Sequence, residues 1–508
     1  GPAGPVVGLV PTADRAGYWL AAASGDQAAF GDAADLGHPG ALSRPIVGLA
    51  AVPAAPRTGA GRCCDDAPAP PEPATTTTTR PRPATPPQYF ASTADPTWGT
   101  SISTVEAAKA GRVLALAEAG DTVFVGGEFN GAARPGSSLN GDANCAPGAA
   151  VAPDPATCVL RPFLFALDAT TGEVLDWDAH PNDAVLSLAV SPDGRELYVG
   201  GRFTSIGGAP AGRIARLDIA TGLQDPTFHP PFANSGVHAM ALAGDRLFIG
   251  GSFKKLDNVD TPGEVAALDA ATGALRTDWA PPANTGGRFV GHVGLPTEDG
   301  MSGLVYDMKV SADGRYLYIG GDFLHFGGQG GLLTLDTVTG QAAPWQAQLD
   351  HPRPVFGVDV WPGDGRSVVV ATGGAGGTAQ FFDPAGGTKP KWVARVDGDG
   401  TDVAATTARI YLVGHYDHEV PNKADPCLHH VPVTCADGTP HRKVAAFDPE
   451  TGAVDPTFTA QANTPQGPYV VLVGWEHLYL GGDFTAVGPL GNLRPQPGFA
   501  AFGRVDGP

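Results

Sequence analysis

Residues 196–203 read Glu-Leu-Tyr-Val-Gly-Gly-Arg-Phe, and this phrase keeps returning along the chain. Related strings occupy Asp121–Phe129, Arg246–Phe253, Tyr316–Phe323 and His477–Phe484, with two worn copies at Arg366–Gly374 and Arg409–Tyr416. Seven copies of one theme, roughly 40–50 residues apart, mark a repeat architecture such as a solenoid or propeller.

The fullest unit around the phrase runs from Ala184 to Phe228. An alternating apolar stretch (185–190) meets a tight Ser-Pro-Asp-Gly turn at 191–194, and the Gly-Gly strand follows. A third strand at 213–218 then leads through Asp218-Ile-Ala-Thr221-Gly222 to a fourth that ends at Asp225-Pro-Thr-Phe228. Four short antiparallel strands with turn residues at fixed offsets form one propeller blade. The Asp-x-x-Thr-Gly turn has a physical reason: the carboxylate accepts backbone N–H and the Thr hydroxyl, while Gly takes positive φ. It recurs at Asp168, Asp218, Asp269, Asp336 and Asp448, with a degraded copy at Asp383. Each unit closes on an aromatic (Trp177, Phe228, Trp279, Trp345, Trp392, Phe458) that reads as a wedge between neighbouring blades. The paired glycines let that packing approach the strand backbone.

The seventh unit supplies three strands and the chain then stops, so its fourth must come from elsewhere. Asp95-Pro96-Thr97-Trp98 carries the expected terminal string ahead of the first unit. An N-terminal strand completing the last sheet would remove an exposed edge. The expected fold is all-β: a seven-bladed propeller over residues 89–508, closed by that strand. The Gly-Gly-x-Phe…Asp-x-x-Thr-Gly units resemble the delta-60 repeat β-propellers of secreted bacterial proteins, a family defined by architecture more than by activity.

Two segments precede the repeats. Residues 5–11 and 45–51 are near copies, and 15–32 read as two strands about a Ser-Gly-Asp turn. This stretch resembles the secreted actinobacterial repeat with a Gly-Tyr-Trp-Leu strand, so residues 1–53 are read as an incomplete β repeat unit. One repeat cannot bury its own apolar face. It therefore packs on another surface, or belongs to a longer array and supports self-assembly. Residues 54–88 hold dense proline and five consecutive threonines (75–79), the composition of an extended linker or O-glycosylated stalk.

Bulk properties narrow the function. A net charge of −20 without any basic stripe argues against nucleic acid as a partner. No apolar run approaches ~18 residues, so membrane insertion is not expected. The six cysteines fall in close pairs, Cys63 with Cys64, Cys145 with Cys158, and Cys427 with Cys435. That spacing fits local disulfides in a secreted or cell-surface protein. Cys63 and Cys64 close a strained ring, pair with another chain, or stay free.

Long insertions fall between second and third strands (130–160 and 417–442) or between units (281–303), all on one face of a propeller. The other face has only tight turns. Loops of that length in a compact domain are more often functional than idle. The second of them carries the densest histidines: His415, His418, His429, His430 and His441, together with Asp417. Imidazole beside carboxylate suits a zinc-like ion, though the spacing matches no metal signature. Asp142 and Asn144, and Asp257, Asn258 and Asp260, offer oxygens for calcium without the spacing of a calcium loop. The expectation is therefore a recognition or scaffold protein that binds a glycan or protein through its loop-rich face, with no cofactor called for. Two rivals stand beside it: an extracellular enzyme, and a subunit of a surface filament. The enzyme is either a carbohydrate-active hydrolase or a quinone-dependent oxidoreductase, since Ala166-x-Asp168-x-x-Thr171-Gly172 resembles the tryptophan-docking repeat of pyrroloquinoline-quinone dehydrogenases.

Overall fold

The structure is a computed structural model that describes residues 6–11, 18–22, 27–30, 89–95, 101–102, 111–133, 158–283, 304–327, 329–374, 376–419, 439–463 and 467–505. The chain divides into two compact units, Gly1–Thr77 and Thr78–Pro508. In the first unit, strands Val6–Pro11, Tyr18–Ala22 and Gln27–Phe30 form an antiparallel sheet in sequence order.

The second unit repeats one antiparallel sheet along the chain, and no helix occurs among the described residues. Sheet 1 pairs Arg112–Ala119, Thr122–Glu128 and Leu164–Asp168; sheet 2 pairs Val185–Val190, Glu196–Gly201 and Ile214–Asp218. Sheet 3 holds Val237–Ala243, Arg246–Gly251 and Val265–Asp269, and sheet 4 Leu304–Val310, Tyr316–Asp322 and Leu332–Asp336. Sheet 5 has four strands, Val355–Val360, Val368–Thr372, Thr378–Phe382 and Trp392–Arg395. Sheet 6 comprises Asp399–Ala405, Ile410–His415 and Val444–Phe447. Sheet 7 runs Pro468–Val473, His477–Gly482, Phe499–Val505 and then Tyr89–Phe90, from far upstream.

The expected fourth strand is mostly reduced to a bridge, such as Leu217 with Gln224 or Phe447 with Val454. Where Asp-Pro or Ala-Pro follows, at 225–226, 343–344 and 455–456, the proline has no N–H to continue the ladder. In sheet 5 Trp392–Arg395 pairs as a true strand, while sheets 1 and 3, also without that proline, stop at the bridges Leu167 with Val174 and Leu268 with Leu275. The Asp95 N–H bonds to the Ala501 carbonyl at 2.8 Å, as those of Asp225 and Asp455 bond to Arg216 and Ala446. Asp95 thus holds the same register position against sheet 7 as those two aspartates hold against sheets 2 and 6. Trp98 lies outside the described residues.

Second strands are apolar in their centres and buried almost throughout because neighbouring sheets cover both faces; Arg246–Gly251 is buried along its whole length. The first glycine of each pair makes room for a valine at the start of the next sheet. A Cβ on Gly126, Gly200, Gly250 or Gly320 would stand 2.6 to 2.9 Å from Val185, Val237, Val305 or Val355, inside contact distance. On Gly481 it would strike Val113 of sheet 1. Between sheets 5 and 6 the roles are exchanged: Ala371 takes the place of the first glycine, and it faces Gly400.

Each first strand lies against the first strand of the next sheet, and Pro468–Val473 lies against Arg112–Ala119. Every first strand also carries a β-bulge at its beginning, between residues such as Val237 and Ala239 or Val305 and Asp307. Aromatic wedges fill the seams. The indole N–H groups of Trp177 and Trp392 donate to the Ile219 and Pro449 carbonyls at 2.9 and 2.8 Å, each beside the turn aspartate of the following sheet. Those turns are built on the aspartate: Asp218 Oδ1 accepts the Thr221 N–H at 2.8 Å and its hydroxyl at 2.7 Å, and Gly222 has φ of +73°. The same bonds recur at Asp168, Asp269, Asp336 and Asp448.

Candidate functional site

First strands present their free edges to a common axial space, a cavity of about 180 Å³. That volume holds on the order of ten waters. At the beginning of each strand the bulge turns one residue out of the alternation. The turned residues are Leu114, Leu186, His238, Tyr306, Phe356, Thr401 and Tyr469, which together form a collar around the cavity, and the Thr401 hydroxyl donates to the Pro468 carbonyl at 2.8 Å. Tyr306 and Phe356 meet edge to face at 5.0 Å.

A second ring of residues comes from the variable position of the Gly-Gly-x-Phe phrase, at the ends of the second strands. Glu128 pairs with Arg202 across sheets 1 and 2 and lies 3.4 Å from Arg112. The Ser252 hydroxyl is 3.4 Å from His238 Nε2. Asp483 accepts the Tyr469 hydroxyl at 3.0 Å and the Gly467 N–H at 2.9 Å. Burial, with the Arg202 charge adding to it, lowers the His238 imidazole from 6.5 to about 4, so His238 is neutral at pH 7.

Deeper in the channel stand Asp307, Asp359 and Asp402, with Lys309. The free strand edges leave backbone N–H groups to be satisfied, and these acids reach across the seams to them. Asp307 accepts from Val358 at 2.8 Å and from Met308 at 2.7 Å. Asp359 accepts from Ala405 at 2.8 Å, and Asp402 from Val471 at 2.9 Å and Val403 at 2.8 Å. Glu118 of sheet 1 accepts from Trp475 of sheet 7 at 2.7 Å. Gly357 makes room for Asp402: a Cβ there would lie 2.6 Å from the Asp402 Cα. Burial raises all three carboxyls, Asp402 most of all because Asp307 is near, and Lys309 opposes the rise. Asp307 in turn holds the Lys309 ammonium above its usual range. With their oxygens taken by N–H groups, these acids seal seams and are poorly placed to act as a general base.

The sequence pointed to the end of sheet 6, and four of its six residues are described there. His418 Nδ1 is 3.0 Å from Asp397 Oδ2, and Asp397 Oδ1 accepts the N–H groups of Asp417 and His418. Lys443 Nζ lies 3.5 Å from Asp417, and the His441 N–H donates to the Asp417 carbonyl at 3.1 Å. His441 is buried, which lowers its pKa, and its Nε2 has no hydrogen-bond partner. His415 ends the second strand opposite Asp399. His429 and His430 lie outside the described residues, as do Cys63, Cys64, Cys145, Cys427 and Cys435 and the side chain of Cys158. Among the described residues no group of three or more His, Cys, Asp or Glu is arranged to hold a metal ion. Asp257 and Asn258 both adopt positive φ in a tight turn, and Asp257 Oδ1 accepts the Phe232 N–H at 2.8 Å.

Sequence reasoning missed the channel acids and the collar. The signal for the second ring was present, however: it is the single variable position inside an otherwise repeated phrase.

A family model described as a domain of unknown function (DUF5122) β-propeller matches residues 192–228, the second strand through the wedge of sheet 2. No curated protein matches the chain. Among solved structures, the computationally designed Ika8 protein aligns at 13% identity and a TM-score of 0.41, over 80% of this chain and 97% of that one. The hydrazine synthase of Kuenenia stuttgartiensis aligns at 15% identity and a TM-score of 0.38, over 59% of this chain and 74% of that one. All-β, built from many antiparallel sheets and matched in one repeat by a β-propeller family, the chain carries a β-propeller domain of the kind that serves in binding or as a scaffold.

Proposed function

We propose that residues 89–505 form a seven-bladed, delta-60-like propeller closed by Tyr89–Phe90. We further propose that it works outside the cell, secreted or at the surface, as a recognition module for a glycan or a protein. Support for closure comes from three contacts between last and first sheets: Pro468–Val473 against Arg112–Ala119, Gly481 against Val113, and the Trp475 N–H on Glu118. The binding surface is the channel mouth. One observation carries that choice: the bulged collar and the variable ring from Glu128 to Asp483 gather aromatic, imidazole, guanidinium and carboxylate groups at one end of the body. The described residues flanking all three long insertions stand at this same end. A rigid rim of rings and charges surrounded by long loops is the arrangement from which binding faces are commonly built.

Glycan-array and cell-surface binding of the full chain tests this, beside Tyr306→Ala and Arg202→Gln. The reading expects a ligand whose binding falls at least tenfold in both variants without loss of fold. Binding that both variants leave intact places the ligand elsewhere and overturns it.

A further inference from the structure

The geometry points to a second ligand site, on the opposite face, in the seam between sheets 4 and 5, that takes a neutral pyranose ring. In other seams the equivalent space is filled. Between sheets 2 and 3, Arg216 lies 5.3 Å from the centre of the Phe228 ring and bonds Asp225 at 3.1 Å. Between sheets 6 and 7, Arg409 lies over Tyr89 and Phe458 at 4.6 and 5.7 Å and bonds Asp455 at 2.6 Å. In both seams a guanidinium–carboxylate pair occupies the space beside a second-strand tyrosine, Tyr198 or Tyr411.

Sheet 4 keeps the tyrosine, Tyr318, and loses both partners of the pair. Register places Thr334 where sheet 2 has Arg216, since Tyr318 faces Thr334 as Tyr198 faces Arg216. Ala343 stands where Asp225 stands, its N–H bonding the Thr334 carbonyl as that of Asp225 bonds Arg216. Tyr316 stands at the position of Arg409, two residues before the tyrosine. The result is a cavity of about 260 Å³ walled by Tyr316, Tyr318 and Trp345. Trp345 stays half-exposed, whereas Trp177, Trp279 and Trp392 are buried. Deep in it, Thr334 is only 1% exposed, and its hydroxyl has no hydrogen-bond partner.

Chemistry selects the occupant. The seam has lost one positive and one negative group together, so that loss leaves no unbalanced charge to attract an ion. Aromatic walls favour the C–H face of a ring, and the stranded Thr334 hydroxyl calls for a hydroxyl or ring oxygen. Asp364, Asp383 and Arg366 at the rim offer acceptors and a donor to outward hydroxyls. Apolar walls with a few convergent polar groups are the usual make-up of a small-molecule pocket.

Saturation-transfer NMR of the full chain with a panel of methyl pyranosides tests the proposal. At least one pyranoside is expected to receive saturation, and Thr334→Arg with Ala343→Asp is expected to abolish the signal by refilling the seam. Thr334→Val, which keeps the shape and removes the hydroxyl, should weaken binding by roughly three- to tenfold. The signal is read in a Tyr306→Ala background, where the channel mouth is impaired, which separates the seam from the site proposed above. In that background no transfer from any pyranoside overturns the proposal, as does transfer that survives Thr334→Arg with Ala343→Asp. A protein partner that binds without carbohydrate and is lost on refilling the seam overturns the sugar assignment.

Discussion

Between sheets 2 and 3 a guanidinium fills the space beside the seam tyrosine; between sheets 4 and 5 the same space is hollow. The backbone registers match, the tyrosines match, and an aromatic wedge stands in each. The guanidinium and carboxylate are what sheet 4 lacks: Thr334 and Ala343 stand in place of Arg216 and Asp225, and the wedge is Trp345 where sheet 2 has Phe228. A repeat protein can therefore alter one seam without disturbing the others, because each seam is closed by its own two sheets.

The largest effects are expected at the wedges. Trp392 is buried between Phe381 and Phe447, so Trp392→Ala should cost about 3–5 kcal/mol. Trp345→Ala, beside the cavity, should cost less than half as much; equal losses in urea denaturation would mean that the seam is not hollow. Next in size is Arg409→Ala. Its side chain is 3% exposed, and its removal leaves the partly buried Asp455 carboxylate without its positive partner, for a loss of about 3 kcal/mol.

Acid titration sharpens the contrast at smaller amplitude. Burial pushes the Asp455 carboxyl up, but the hydroxyl and amide of Thr457 and the Arg409 guanidinium more than offset this, leaving it below its ordinary 3.8. Asp225 is lowered in the same way by Thr227 and Arg216. A folded pKa below the unfolded one stabilises the protein above about pH 4, and this is lost as the pH falls through the folded value. Stability measured from pH 6 down to pH 2 should therefore fall less steeply in Asp455→Asn than in the parent. Ala343→Asn, at the equivalent hollow position, should leave that slope as it is. The smallest effect concerns His238, whose ring signals should titrate by NMR near pH 4; a midpoint near 6.5 would mean that the channel mouth is open to bulk water.

Much of the fold was legible because it rests on local chemistry. The Asp-x-x-Thr-Gly turns need particular residues at particular offsets, and the Gly-Gly pairs need the absence of a Cβ. The Asp95 position could be read from a string shared with Asp225 and Asp455. The site was less legible, and for a different reason. A bulge is set by pairing between strands, and the bulged residues Leu114, His238, Tyr306 and Thr401 share no chemical type. Asp307, Asp359 and Asp402 look like ordinary alternation within their strands, and only the neighbouring sheet shows what they bond. Thr334 and Ala343 are unremarkable alone and become informative only against Arg216 and Asp225. The histidines near the end of sheet 6 drew notice by density, yet His418 and Asp417 are engaged with Asp397 and Lys443.

The claim on which the propeller and its channel mouth depend is that Tyr89–Phe90 supplies the outer strand of sheet 7 and joins the end of the propeller to its beginning. Phe90 is buried against Tyr411 at 5.8 Å between ring centres. Denaturation of two truncated chains, one starting at Thr78 and one at Pro96, tests it most directly. The account predicts that the first unfolds like the large unit of the full chain, and that the second loses at least about 3 kcal/mol or fails to fold. A chain starting at Pro96 that is as stable as one starting at Thr78 would contradict it.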